Sequence, residues 1–422
     1  MKAGFALIDI TPDHPVWMVG YASRDHQSEG VYQNLRAGAI ALSHRGGAAL
    51  LLTSDIIGHS LAFAAETKAL IADATGLLPN QIILTATHTH CAPFFYGWGM
   101  PGEVETDWAA EFQSKLIEVS LRAMKDLATA RVQFTRGSST FGVNRRTPDG
   151  KGGILFKANP DGPIDRDLDT LWFIDPDGEI RGTFTVYGCH ATCRGEYLLG
   201  GDYPGFLCRE MTKQTEAPAF FAMGCSGNIR PDFMSDNGFR GAEIEEIQEV
   251  GERMTREILQ SLGNRREIDI KTVDVATAFH RLPYAKLPGK RKLEKVIDGE
   301  DKNLKIWANH FLDRLSNGPL PKSCPQEIQI LSLNPEFRLV FIGGEILTEI
   351  GLHLKEAFAP ATTVTVGYSN GLIAYVPGRE TYDLGGYEVE GSYPYFLRPA
   401  PFTKDVEDRI VSTALALAGR QE

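Results

Sequence analysis

The chain has 422 residues, 43% of them hydrophobic, and a formal net charge of −11. That is ample apolar material for one large α/β domain, with two or three domains as the alternative that length allows. The acidic balance excludes a general nucleic-acid or anionic-membrane binder, and no stretch reaches the about 18 uninterrupted apolar residues of a membrane span.

Met1 to Asp9 has no long apolar core before its first acid, so no signal peptide is legible. Cys91, Cys189, Cys193, Cys208, Cys225 and Cys324 therefore read as reduced thiols, and a cytoplasmic location is expected. Residues 1–36 read as turn-rich. Ala37 to Ser43 and Ala48 to Asp55 form a hairpin around His44-Arg45-Gly46-Gly47. Leu61 to Thr75 is an amphipathic helix closed by Gly76. Ile82 onward is a buried strand expected to continue through His88 and His90 until Pro93 stops it. A helix over Thr106 to Leu127 and a strand over Arg131 to Thr135 follow. Residues 137–168 lack periodicity and read as a long functional or mobile loop.

A second hairpin joins Asp169–Ile174 to Ile180–Tyr187 and runs into Gly188-Cys189-His190. Tyr203 to Gln214 is a helix, Ala219 to Met223 a buried strand, and Ala242 to Leu262 an acidic amphipathic helix. Lys271 to His280 is a strand, and 285–315 is helical. A third hairpin, Ile328–Leu333 and Arg338–Ile342, delivers Gly343-Gly344-Glu345, and Ile346 to Phe358 continues as a helix. Thr363 to Gly367 is the last core strand, 368–402 a loop rich in Tyr and Gly, and Thr403 to Ala418 a closing helix. No internal repeat or domain boundary is visible. Helices alternating with strands, interrupted by hairpins, predict an α/β fold with mixed β-sheets flanked by helices.

Chemistry-bearing groups recur at strand ends: His88 and His90, His190, Glu345, and the tyrosines at 375–387. On a continuing strand, the period of two puts both imidazoles of His88 and His90 on one face. Two imidazoles plus a carboxylate with one open position is a catalytic zinc ligand set. Each residue also has a plainer reading: Glu345 suits a helix N-terminal acid, and His190 a hydrogen-bonded core histidine.

Several segments resemble the catalytic domain of the neutral/alkaline, non-lysosomal ceramidases, zinc-dependent amidases. Ile8-Asp9-Ile10-Thr11-Pro12 with Gly20-Tyr21 resembles the family's opening, and Thr87-His88-Thr89-His90-Cys91-Ala92-Pro93 its Thr-His-Thr-His-Ser-Gly-Pro. Asn144-Arg145 before Pro148, His190-Ala191-Thr192, Gly201-Asp202-Tyr203-Pro204-Gly205 and Gly344-Glu345 follow in the family's order. Asn370, Tyr375, Glu380, Tyr382, Tyr387 and Glu388 keep the spacing of its tyrosine-rich segment. The resemblance implies His88, His190, Glu345 and Tyr375 as ligands of Zn2+, with His90, Arg145 and Tyr387 as catalytic residues around the metal.

The chain departs from the family at Gly227-Asn228-Ile229-Arg230-Pro231-Asp232, where Arg230 occupies the place of a serine associated with catalysis. Ser226 lacks the final glycine of a nucleophile elbow. The chain also ends soon after the tyrosine segment, with no room for the family's C-terminal immunoglobulin-like domain. Arg145, Arg146, Arg194 and Arg230 all fall in segments expected near the metal, and arginine forks suit carboxylates or phosphates. Salt bridges to Asp202, Asp232 or Glu196 are the alternative. A rival structural zinc on Cys189, His190 and Cys193 needs a fourth ligand that no second Cys/His motif supplies.

The expectation is one ceramidase-like zinc hydrolase domain over 1–422. It would act on an amide, or an ester or lactone, of a small polar anionic substrate bound by Arg230 and Arg146, not on long-chain ceramide. A metal-dependent enzyme acting on a sugar-derived substrate and a non-catalytic metal- or ligand-binding protein are the alternatives. The expected partner is a small-molecule substrate, with no nucleic acid and no membrane; homo-oligomerisation is left open.

Overall fold

The structure, a computed structural model, describes residues 1–419. It is mixed α/β, and its main sheets repeat one plan three times. In the first sheet the order is Ile82–Ala86, Gly47–Ser54, Arg36–His44, Lys2–Asp9, with Ala128–Thr129 at the edge. The second runs Ala219–Met223, Ile180–Tyr187, Asp167–Ile174, Arg131–Ser138, with Arg266–Ile268 at the edge. The third runs Thr362–Val366, Phe337–Ile342, Ser323–Asn334, Asp274–Pro283.

Each unit is thus three antiparallel strands, a helix, and a fourth strand that returns parallel to the third. The connecting helices are Leu61–Thr75, Asp202–Thr215 and Thr348–Ala357. A second helix closes each unit: Thr106–Lys125, Ile244–Gln260 and Val406–Ala418. The parallel return needs a crossover, and the helix supplies it. In the first unit the sequence marks that helix at both ends. The Ser60 side chain accepts from the Phe63 amide, and Gly76 takes the left-handed conformation at φ 75°.

The repeat escapes sequence reading because insertions of unequal length, 10–35, 139–166 and 284–322, separate first from second strands. The central strands are buried on both faces. Ile40, Leu42 and Leu51 point into a core shared with Phe173, Phe184, Leu331 and Leu339 of the other sheets, while Ala39, Ala41, Leu50 and Leu52 face the layer that includes the helices. That burial explains their near-continuous apolar runs.

Other departures from expectation have local causes. Lys2–Asp9 is a strand, its signal diluted by Ala3, Gly4 and Ala6. Within 137–168 a hairpin pairs Val143–Pro148 with Ile154–Asn159. Asn144, Arg145 and Arg146 on it are buried, so it carries no apolar period. The 368–402 segment holds the short strand Tyr375–Val376, paired with Glu345–Ile346, and the helix Arg379–Asp383. Among the described residues no helix is long and apolar enough to cross a membrane.

Candidate metal centre

Third and fourth strands run parallel, so in each unit their C-terminal ends share one side, where α/β folds place their chemistry. Three residues past the third strands lie Ile57, His190 and Glu345; two residues past the fourth strands of the first and third units lie His88 and Tyr368. His88 and Tyr368 both have positive φ, 60° and 51°. The fourth strand of the first unit ends at Ala86, so His88 and His90 do not share a strand face as expected. The chain turns because Asn370 takes over the ladder, accepting from the Leu84 amide and donating its own amide to the Leu84 carbonyl. The left-handed turn at His88 then brings the two rings together.

His88 Nε2 lies 3.2 Å from His90 Nε2 and 3.4 Å from Glu345 Oε2. His190 Nε2 lies 3.0 Å from Glu345 Oε2 and 3.1 Å from the Tyr375 hydroxyl. All five side chains are buried. Each imidazole has its other nitrogen against a backbone carbonyl. His88 Nδ1 is 2.7 Å from Ile57 O, His90 Nδ1 3.1 Å from Gly20 O, and His190 Nδ1 2.8 and 2.9 Å from Ser226 O and Ile229 O. A carbonyl only accepts, so each Nδ1 carries the proton and each Nε2 presents a lone pair. Backbone carbonyls behind Nδ1 are the usual outer support of metal-bound histidines.

Three lone pairs and a carboxylate therefore meet with no donor among them except the Tyr375 hydroxyl. That donor set fits a cation, and His88, His90 and His190 form a buried group that could hold a metal ion. Burial, then the neighbouring His88 and His190 rings, keep the His90 ring well below its usual pKa. Burial and the Arg145 charge take His190 down to about 4. Burial pushes the Glu345 carboxyl up, but His88 and His190 more than offset this and hold it well below the ordinary range. Burial and Glu345 push the Tyr375 phenol up, so it meets the site as a neutral hydroxyl unless a cation draws off its proton.

Around this centre Arg145 donates from Nε to Glu388 Oε1 at 2.8 Å and from Nη2 to Gly227 O at 2.8 Å, and its guanidinium lies 5.4 Å from the Tyr375 ring. Arg146, expected to bind substrate, turns instead to Glu388 Oε2 at 2.5 Å and to the Gly385 carbonyl at 2.7 Å. Tyr387 sits one ring further out, 5.5 Å from Tyr375, at the exposed mouth. Arg194 pairs with Glu196 at 3.0 Å. Arg230 has no carboxylate within reach among the described residues, and its guanidinium lies 4.2 Å from the Phe239 ring. The rival readings do not assemble. Buried Ser226 donates to the Tyr368 hydroxyl, Cys189 Sγ turns to the His190 carbonyl, and the Cys193 amide donates to Asp202.

No protein-family model matches the chain. It is 23% identical to the neutral ceramidase of Pseudomonas aeruginosa over 324 residues, 72% of this chain but only 47% of that protein. It is 24% identical to the neutral ceramidase of Mycobacterium tuberculosis over 473 residues, 92% of this chain and 73% of that protein. The fold superposes on the crystal structure of the Pseudomonas aeruginosa neutral ceramidase with a TM-score of 0.75, at 20% identity, over 99% of this chain and 74% of that one. A ceramidase complexed with C2 gives a TM-score of 0.76 at 18% identity, with the same coverage. The chain is neutral ceramidase-like in sequence and in fold. It spans about half the length of the first of these relatives.

The sequence assigns no role to some contributors to this centre. Tyr368 packs against His88 with ring centroids 4.0 Å apart, Glu388 joins Arg145 to Arg146, and Gly20 supplies the carbonyl behind His90. Their only signals were the Gly20-Tyr21 pair and the place of Glu388 in the tyrosine segment.

Proposed function

We propose that this chain is a zinc-dependent hydrolase acting on an amide, or a related ester or lactone, of a small polar anionic substrate. The observation that carries the reading is the convergence of three Nε2 lone pairs and the Glu345 carboxylate, with every Nδ1 proton already committed to a backbone carbonyl. His88, His190, Glu345 and Tyr375 would hold the metal. Bound zinc supplies Lewis acidity and lowers the pKa of water to about 7.

His90 accepts and returns a proton at Nε2 while Gly20 O fixes its other nitrogen. Arg145, held by Glu388 and Gly227 O, offers a fixed positive charge to the carbonyl oxygen as it gains charge, with Tyr387 as a second donor at the mouth. The charge of Glu388 is shared between two arginines, which leaves that triad one positive charge in excess and suits an anionic substrate over a neutral lipid.

The test is elemental analysis with a turnover screen of amides and esters. About one zinc per chain is expected, lost in His190→Ala, with activity removed by a chelator and restored by zinc. His90→Ala should retain zinc and lose turnover about 100-fold or more. No zinc uptake on reconstitution, or a His90→Ala variant with full turnover, defeats the reading.

A further inference from the structure

The arginines near the metal centre differ in what satisfies them. Arg145 and Arg146 share Glu388, and Arg194 meets Glu196 and Glu243 at 3.0 and 3.7 Å. Arg24 donates to the carbonyls of Val19, His90 and Glu196. The Nε of Arg24, Arg194 and Arg230 is each buried without a hydrogen bond, but Arg230 alone has neither a carboxylate nor a carbonyl on the rest of its guanidinium among the described residues; that guanidinium lies instead over the rings of Phe239 and Phe156, at 4.2 and 5.9 Å. A guanidinium lying on aromatic faces keeps its in-plane N–H fork open to a planar anion. A partly buried cation with no counter-charge is costly unless something supplies one.

The position is tied to the metal centre. Arg230 directly follows Ile229, whose carbonyl accepts from both the amide and Nδ1 of His190 at 3.1 and 2.9 Å. It pairs with Val143, two residues before Arg145, and the guanidinium of Arg145 lies 5.1 Å from the same Phe156 ring. Phe156 is 49% exposed, and its ring is 6.1 Å from both Phe239 and the exposed Tyr387. One unpaired cation and one open aromatic shelf thus stand together at the mouth.

We propose that the centre takes N-acylated amino acids, with the carboxylate paired to Arg230 and an apolar half laid on Phe156, Phe239 and Tyr387. The recognition is independent of turnover; the reaction rests on the hydrolase reading above. In that reaction water adds its oxygen to the acyl carbon, the C–N bond breaks, and the nitrogen takes the proton. A carboxylate and a free amino acid leave.

The experiment titrates N-acetyl-phenylalanine and its carboxamide calorimetrically into zinc-loaded protein carrying His90→Ala, so that turnover does not distort the heats. Arg230→Gln and Arg230→Lys are added to it in turn, and amine release by the protein without substitutions is measured in parallel. The acid should bind about 10- to 100-fold tighter than the carboxamide, as for a charge-assisted pair. Arg230→Gln should erase that preference and Arg230→Lys should keep part of it. Equal binding of acid and carboxamide overturns the proposal. So does a preference that survives Arg230→Gln, which would place the carboxylate on the metal. An Arg230-dependent preference without amine release leaves the recognition standing and defeats the hydrolase reading.

Discussion

His59 offers a measurement that needs no substrate. Its ring is buried beside the stacked pair Phe63 and Phe112, at 6.0 and 6.3 Å, and neither nitrogen has a hydrogen-bond partner among the described residues. Burial, with the Lys68 charge behind it, lowers its pKa from 6.5 to about 3. The folded state therefore holds the neutral ring, while the unfolded chain takes up a proton below pH 6.5. A depressed histidine gives stability that is complete above the unfolded pKa and lost as pH falls toward the folded one, so the window is 6.5 down to about 3. At 1.36 kcal/mol per unit, going from pH 7 to pH 5 costs about 2 kcal/mol from this group alone. His59→Phe keeps the stack and removes the titration. Urea unfolding at pH 7 and pH 5, both proteins in the same metal state, reads the difference of differences, in which the other histidines cancel. The variant should lose about 2 kcal/mol less than the parent over that interval and should be no less stable at pH 7. An unchanged pH 7-to-5 loss, or a large destabilisation at pH 7, would mean that the ring is charged or partnered, and the burial argument would be refuted.

Other perturbations probe the support of the centre. Gly20 has φ 107°, and a Cβ there would meet His90 Nδ1 at 2.5 Å. Gly20→Ala should therefore displace the His90 ring and cut turnover by about 100-fold with zinc content unchanged; full turnover in that variant would show the ring to be indifferent to its carbonyl anchor. Glu388→Gln leaves two buried guanidiniums uncompensated, so unfolding should show a loss of about 3–5 kcal/mol, and a loss under 1 kcal/mol would contradict the pairing. Lys68 pairs with Glu327 at 2.8 Å, both side chains buried, joining the first unit's helix to the third unit's sheet. Lys68→Met should cost a similar amount and Lys68→Met with Glu327→Gln much less, whereas additive losses would deny the coupling.

The fold was readable wherever burial imposes a period. All three hairpins, the Ser60-capped helix and the returning strands Ala219–Met223 and Thr362–Val366 fall where their apolar runs end in Gly, Pro, Asn or Asp. What was not readable has two causes. Polar residues facing a site break the hydrophobic alternation, which hid the Val143–Pro148 strand behind Asn144, Arg145 and Arg146. Backbone that leaves its strand for a left-handed residue follows no period at all, which is why His88 was expected on a strand it has already left. The side chains at the centre could be named from motif order. What lies behind them could not: Ile57 O, Gly20 O and Ile229 O are backbone atoms and leave no mark in composition.

The threefold plan explains why the centre lies where it does and why the sequence conceals it. A single unit supplies only the ends of two parallel strands, too few groups to enclose a cation. Docking three sheets face to face brings six such ends to one side of the molecule, and equivalent positions then do different work. Three residues beyond the third strand, the first unit offers the Ile57 carbonyl to His88, the second offers His190, and the third offers Glu345. Two residues beyond the fourth strand, the first unit offers His88 and the third offers Tyr368, whose ring packs against it. Because those positions carry different chemistry, they share no residue type by which a repeat could be recognised. The arrangement would also couple a bound metal to the assembly: His88, His190 and Glu345 come from three separate units, so their nitrogen and oxygen donors meet only when all three are docked. The affinity for a cation would then measure that docking, and a substitution that loosens one unit, far from any of these side chains, should weaken it.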